Sequence, residues 1–144
     1  MKLKDAFYKV GTSIHRAVFN VSKGRILGKA PGRPFIELVT TGRRSGKERS
    51  TMLSAPLVEG DHLVVVASFG GDDRHPAWYL NLQANPEVRV TIGGSTRRTM
   101  IARTATDEER AELWRQIIST FEGYARYQER TERQIPVVIL EPRE

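Results

Sequence analysis

Leu3, Phe7, Val10, Ile14, Val18 and Val21 recur every three or four residues, with Lys4, Lys9, His15 and Arg16 on the positions between. That period predicts an amphipathic helix whose apolar stripe needs a partner. Gly24, Gly28, Pro31, Gly32 and Pro34 follow in close succession, a density of breakers that predicts a linker. Residues 1–28 are therefore expected to form a helix and linker apart from a single domain over 29–144.

Beyond the linker the pattern becomes that of strands. Stretches 35–40 and 51–58 are rich in β-branched and apolar residues, and Glu59-Gly60-Asp61 supplies a tight turn before the run 63–67. Pro76 suits the first helical position, Trp78, Tyr79 and Leu82 continue a short helix, and Asn85-Pro86 ends it. Val88, Val90 and Ile92 then alternate with Arg89 and Thr91, Gly93-Gly94 turns the chain, and 96–103 returns as a strand. Thr106 and Glu109 have the spacing of a capping box. The helix it opens runs through Leu113, Trp114, Ile117 and Phe121, and Gly123 breaks it before a second helical piece around Tyr124 and Tyr127. A last strand is expected over 136–140. Six strands joined mostly as hairpins, with no regular βαβ alternation, predict an α+β, mainly β, antiparallel barrel with inserted helices.

Composition narrows the chemistry. The 144 residues suit one domain with one core. The sequence has no cysteine, which excludes disulfides, thiolate metal sites and cysteine nucleophiles, and its three histidines argue against zinc chemistry, so no metal site is expected. No run approaches the ~18 apolar residues of a membrane span, and Lys2, Lys4 and Asp5 stand where a signal peptide needs an apolar stretch, so a soluble cytoplasmic protein is expected. The 23 basic against 17 acidic residues leave a net charge of +6, which favours an anionic partner without choosing among nucleic acid, phospholipid and a phosphorylated small molecule.

Two stretches concentrate the candidate chemistry. In Thr40-Thr41-Gly42-Arg43-Arg44-Ser45-Gly46-Lys47-Glu48-Arg49, glycines let backbone N–H groups approach an anion, and the arginines can grip phosphate or carboxylate oxygens bidentately. A solvated basic hairpin loop is the plain alternative. Nucleotide-binding P-loop spacing is absent, because Gly42 and Gly46 are four apart and Lys47 is followed by Glu48. In Ala67-Ser68-Phe69-Gly70-Gly71-Asp72-Asp73-Arg74-His75-Pro76-Ala77-Trp78-Tyr79, a strand end opens through a glycine-rich loop into a helix start, a common place for ligand groups. His75 has no nearby triad partner and reads first as a turn residue. Phe121, Tyr124 and Tyr127 are spaced by three, so they either share a core face or line one side of a pocket.

Taken together, the Thr40 to Arg49 loop, the His75-Pro76-Ala77-Trp78-Tyr79-Leu80-Asn81-Leu82 segment with Asn85-Pro86, the stretch Ala105-Thr106-Asp107-Glu108-Glu109-Arg110 and the ending Arg133-Gln134-Ile135-Pro136-Val137-Val138 resemble the deazaflavin-dependent nitroreductase family of actinobacteria. The likeness covers roughly residues 30–142. It implies a split β-barrel related to flavin-binding barrels, and a reductase that uses reduced coenzyme F420 to transfer hydride to a small organic acceptor. By that resemblance Arg43, Arg44, Ser45 and Arg49 hold the coenzyme's phosphate and glutamyl tail, with Ser50, Thr51, Met52, Leu53 and Ser54 beside it. Val66, Ala67, Ser68 and Phe69 meet the deazaflavin ring, flanked by Ala77, Trp78, Tyr79 and Asn81. Ser68 is placed to hydrogen-bond the acceptor oxygen, and Tyr124, Tyr127 or water to supply the proton.

Nitroimidazole-reducing members of that family carry tyrosines where this chain has Ser54 and Phe121, and Asn-Pro where it has Thr51-Met52. Quinones or activated enones are therefore expected as acceptors ahead of nitro compounds. An ordinary flavin, a non-catalytic carrier role and nucleic-acid binding are the competing readings; the last lacks any recognisable binding motif or stacking-aromatic pattern. The N-terminal helix is open to three roles: packing on the barrel, forming a homodimer contact, or lying on the anionic inner face of the membrane.

Overall fold

The apolar run before residue 67 and the one after residue 136 owe their composition to burial on both faces. In β4 (His62–Val66) and β7 (Val137–Pro142), Leu63, Val65, Val138 and Leu140 point into one cluster, and Val64, Val66, Val137 and Ile139 into another. Neither strand has a solvent face, so neither alternates with polar residues as a half-exposed strand does. The computed structural model describes residues 34–93 and 95–143. The expected N-terminal helix and linker over 1–28 lie outside them.

The other strands are β1 (Phe35–Thr41), β2 (Glu48–Ser54), β3 (Leu57–Glu59), β5 (Glu87–Ile92) and β6 (Arg98–Thr104). They form one antiparallel sheet in the order β2-β1-β5-β6-β7-β4-β3. The sequence reading of six strands is corrected to seven. The expected strand over 51–58 is two, because Ala55 and Pro56 divide it and send its halves to opposite edges of the sheet. Pro56 lacks the N–H that a continuous ladder needs, and Ala55 N donates instead to Pro34 O at 2.9 Å.

That division determines the shape. Seven strands laid flat would separate the outer two by about 29 Å, whereas the three steps from Ser54 to Leu57 reach at most about 11 Å. The sheet therefore curls until its edges meet at this corner, giving the expected split barrel. Ile36, Leu38, Val88, Val90, Met100 and Ala102 fill its interior with the inward residues of β4 and β7.

Among the described residues three α-helices flank the sheet. α1 (Ala77–Ala84) turns Tyr79 and Leu82 into the barrel interior, and it begins at Ala77 with Pro76 as its extended N-cap, one residue later than the sequence reading placed it. α2 (Asp107–Thr120) covers the outer cluster with Leu113 and Ile117, and its capping box is formed in full by Thr106 and Glu109. α3 (Gly123–Glu129) follows; the break expected at Gly123 falls instead at Phe121 and Glu122, and Gly123 is the first residue of the new helix. Among the described residues no helix is long and apolar enough to cross a membrane.

Candidate active site

Between β1 and β2 the loop 42–47 closes on itself. Gly42 N donates to Lys47 O at 2.8 Å and Gly46 N to Gly42 O at 2.9 Å. Gly46 takes φ +72°, a conformation that other residues rarely adopt. Ser45 Oγ accepts from Lys47 N at 3.1 Å, which orients the hydroxyl and leaves its own hydrogen free to donate outward. A side chain at Gly42 would place Cβ 2.7 Å from Ser45 Oγ and 3.3 Å from Lys47 O, so it would displace the serine hydroxyl.

The loop is anchored from α1. Asn81 is almost wholly buried; its Nδ2 donates to the buried Thr40 Oγ1 at 3.1 Å, and its Oδ1 accepts from Arg43 N and Arg43 Nη1, both at 3.1 Å. One amide thus fixes the base of the loop and the direction of one of its cations.

Among the described residues the cations of this loop and of the start of β2 have no carboxylate partner. Arg74, Arg89, Arg97, Arg98, Arg103, Arg115, Arg126 and Arg143 each stand beside a carboxylate. Among the described residues no carboxylate pairs with Arg43, Arg44, Lys47 or Arg49, all of them exposed. A group of like charges left without internal partners is a ready seat for an anion.

This cationic loop lines a cleft of about 940 Å³. Residues 50–54 of β2 run along its side. β2 is an edge strand, so alternate backbone N–H and C=O groups point away from β1. The cleft lining also holds aromatic side chains: Trp78 from α1, Phe121, and Tyr124 and Tyr127 one helical turn apart on α3, whose rings meet edge to face at 6.1 Å. Val66, Ser68, Phe69 and Ala77 line it as well.

The cleft therefore gathers Arg43, Arg44, Ser45, Arg49, residues 50–54, Val66, Ser68, Phe69, Ala77, Trp78, Asn81, Tyr124 and Tyr127. Two residues expected beside the coenzyme do not line it. Ala67 is fully buried in the barrel cluster, because it continues the inward-facing register of β4. Tyr79 lies on the inner face of α1, its hydroxyl 2.8 Å from Thr104 Oγ1 and accepting from Gln83 Nε2 at 3.1 Å. The helix turn that sends Trp78 and Asn81 to the cleft sends Tyr79 and Leu82 to the core.

Sequence reasoning gives no site role to Phe35, which is exposed and lines the cleft, or to Arg133, which binds the 67–75 loop. Phe35 stands at a strand start, and Arg133 figures only as the first residue of the ending motif Arg133-Gln134-Ile135-Pro136-Val137-Val138.

Known proteins resemble this chain over most of its length. The family model described as F420H(2)-dependent quinone reductase matches residues 12–142. An F420H(2)-dependent quinone reductase of Mycobacterium tuberculosis is 40% identical over 134 residues, spanning 88% of this chain and 87% of its own. A solved F420-H2 dependent reductase is 41% identical and superposes with a TM-score of 0.66 over 76% of this chain and 95% of that one. A structure described as a domain-swapped dimer is 35% identical, with a TM-score of 0.68 over 96% of this chain and 98% of that one. A FAD-binding protein from Mesorhizobium loti, 13% identical with a TM-score of 0.54 over 77% of this chain and 80% of that one, shares the fold alone. With the family model spanning nearly the whole chain and a relative at 40% identity, this protein belongs to the F420H(2)-dependent quinone reductase family.

Proposed function

We propose that the cleft binds reduced coenzyme F420 with its anionic tail on the 42–47 loop and Arg49 of β2 and its ring against the aromatic side chains, and that the acceptor is a quinone stacked beside that ring. As a member of its family the chain is an oxidoreductase dependent on that coenzyme. The observation that carries the site reading is the joining, in the lining of one cleft, of exposed cations that no described carboxylate pairs with and of the aromatic side chains Trp78, Phe121, Tyr124 and Tyr127. A phosphorylated, polyanionic tail attached to a flat ring has complementary chemistry.

When bound, the coenzyme supplies a hydride. The chain's own residues then have three tasks. Arg43, Arg44, Arg49 and the Ser45 hydroxyl fix the tail, so that binding energy gathered there is spent on holding the ring in one orientation. Trp78, Phe121 and Tyr124 exclude water and provide faces for stacking. Ser68 Oγ is assigned to donate to the acceptor oxygen, where negative charge develops, and Tyr127, Tyr124 or water to deliver the one proton that a quinone needs besides the hydride to become a hydroquinone.

The open edges of β2 and β3 support a homodimer, and the apolar stripe with Lys4, Lys9 and Arg16 supports contact with an anionic membrane surface. Sedimentation with anionic vesicles, comparing the full chain with one lacking residues 1–28, tests the latter.

Fluorescence titration with coenzyme F420 tests the site. Losing one charge-assisted contact from an exposed arginine, about 1.4 kcal/mol, corresponds to about a tenfold change in affinity. Arg49→Ala is therefore expected to raise Kd about tenfold without lowering the melting temperature. An unchanged Kd would remove Arg49 from the cradle, and binding of flavin mononucleotide in place of the deazaflavin would reject the cofactor assignment.

A further inference from the structure

The chain leaves β4 through an unusual turn. Phe69 has φ +46°, and Gly70 and Gly71 follow at +64° and +87°. An aromatic residue in the left-handed region costs on the order of a kilocalorie or more and persists only where surrounding contacts enforce it. Phe69 is also half exposed at the cleft, beside Ser68.

The enforcing contacts come from one distant segment between α3 and β7. Arg133 Nε donates to Asp72 O at 2.8 Å, and Arg133 Nη2 donates to Ser68 O at 2.9 Å and to Ala67 O at 3.3 Å. Arg133 Nη1 reaches Ala67 O at 3.3 Å and His75 Nδ1 at 3.1 Å. Nearby, Arg130 Nη1 donates to Gly70 O at 3.1 Å and Thr131 Oγ1 to Asp73 Oδ1 at 2.8 Å. The turn also lies directly on α3: a Cβ at Gly71 would sit 2.7 Å from Tyr127 O.

We infer that Arg133 is a positioning residue, whose planar fork holds the Ser68–Phe69 turn at a set separation from the Tyr124 and Tyr127 wall. Its donors take carbonyls on both sides of Phe69, so the strained residue is fixed from behind while its ring and Ser68 face the cleft. A lysine cannot replace it, since one ammonium cannot span carbonyls at residues 67, 68 and 72 together with a ring nitrogen. The inference rests on the proposed reading of the cleft for its effect on turnover, and on geometry alone for its effect on the turn.

The test uses the full chain and two variants, Arg133→Lys and Arg133→Gln. The first readout is amide hydrogen exchange at Gly71 and Asp72, whose N–H groups donate to Ser68 O and Phe69 O within the turn. Exchange there is expected to quicken at least tenfold in both variants, while the amides of Gly42 and Gly46 keep their rates. The second is a split of constants with coenzyme F420 and menadione as the probe acceptor: kcat falls at least tenfold, whereas the coenzyme Kd rises less than threefold because the tail cradle is anchored separately by Asn81.

Unchanged exchange at Gly71 and Asp72 in a folded Arg133→Lys protein would overturn the clamp, whatever the kinetics. Accelerated exchange with unchanged kcat would overturn its role in turnover. Failure of the wild-type chain to bind the coenzyme would reject the cleft reading while leaving the exchange result to stand by itself.

Discussion

Asn81 shows how much one side chain settles at the residue scale. From sequence it is a coenzyme contact by resemblance; in the fold its amide joins α1, the end of β1 and the cationic loop through three hydrogen bonds. Asn81→Leu keeps the volume and removes those bonds, leaving the fully buried Thr40 hydroxyl without the donor it has now. An unsatisfied buried group of this kind costs about 1–3 kcal/mol. We expect a correspondingly lower denaturant midpoint, and a weaker coenzyme F420 titration because Arg43 loses its direction. His75 carries a second residue-scale consequence: the hydrogen bond from Arg133 requires an unprotonated Nδ1, and burial, then the Arg133 charge, hold the imidazole below its ordinary value of 6.5.

At the scale of the element, the start of α2 shows sequence and structure in agreement. Thr106 Oγ1 accepts from Glu109 N at 3.2 Å, and Glu109 Oε1 accepts from Thr106 N at 2.9 Å. The same carboxylate receives Arg103 Nη1 and Nη2 at 2.8 and 3.0 Å. Burial alone would raise the Glu109 carboxyl, but the Arg103 and Thr106 contacts outweigh it and leave the group below its usual value. Thr106→Ala is expected to cost about 1 kcal/mol, the usual worth of an N-cap, read as a shift in urea midpoint with activity retained. The strand over 51–58 is the contrary case. Its β-branched and apolar content reads as one strand, and the only local sign of the break is Pro56, which argues for an edge or a bulge without saying that the halves part.

On the scale of the whole molecule, the 67–75 loop ties pH to integrity. The folded pKa of His75 lies below that of the unfolded chain, so its contribution is complete above about pH 6.5 and is lost as pH falls through the folded value. Asp72, held at about 2 by hydrogen bonds from Arg74, follows the same sign lower down, with its contribution present above 3.8 and lost toward 2. Melting temperature is therefore expected to be flat from pH 8 to about 7 and to decline on acidification below about 6. His75→Asn, whose amide oxygen can accept from Arg133 without titrating, should flatten that decline; an undiminished slope would assign the acid sensitivity elsewhere.

What the amino-acid order determined by itself was everything carried by local pattern. Among the described residues, the strands and helices apart from the 51–58 stretch follow from periodicity and breakers, the α2 cap from Thr106 and Glu109, and the cationic loop from its glycines and arginines, each needing only neighbours within a few residues. Tertiary structure alone decided what depends on distant partners. It parted the 51–58 stretch between two sheet edges and so curled the barrel, because a two-residue link cannot cross a flat sheet. It turned Ala67 and Tyr79 into the core while Trp78 and Asn81 went to the cleft, because one helix and one strand end present different faces to different neighbours. It brought Arg133 to carbonyls more than sixty residues away in sequence, because a guanidinium's role is defined by the acceptors that surround it and not by the residues beside it in the chain.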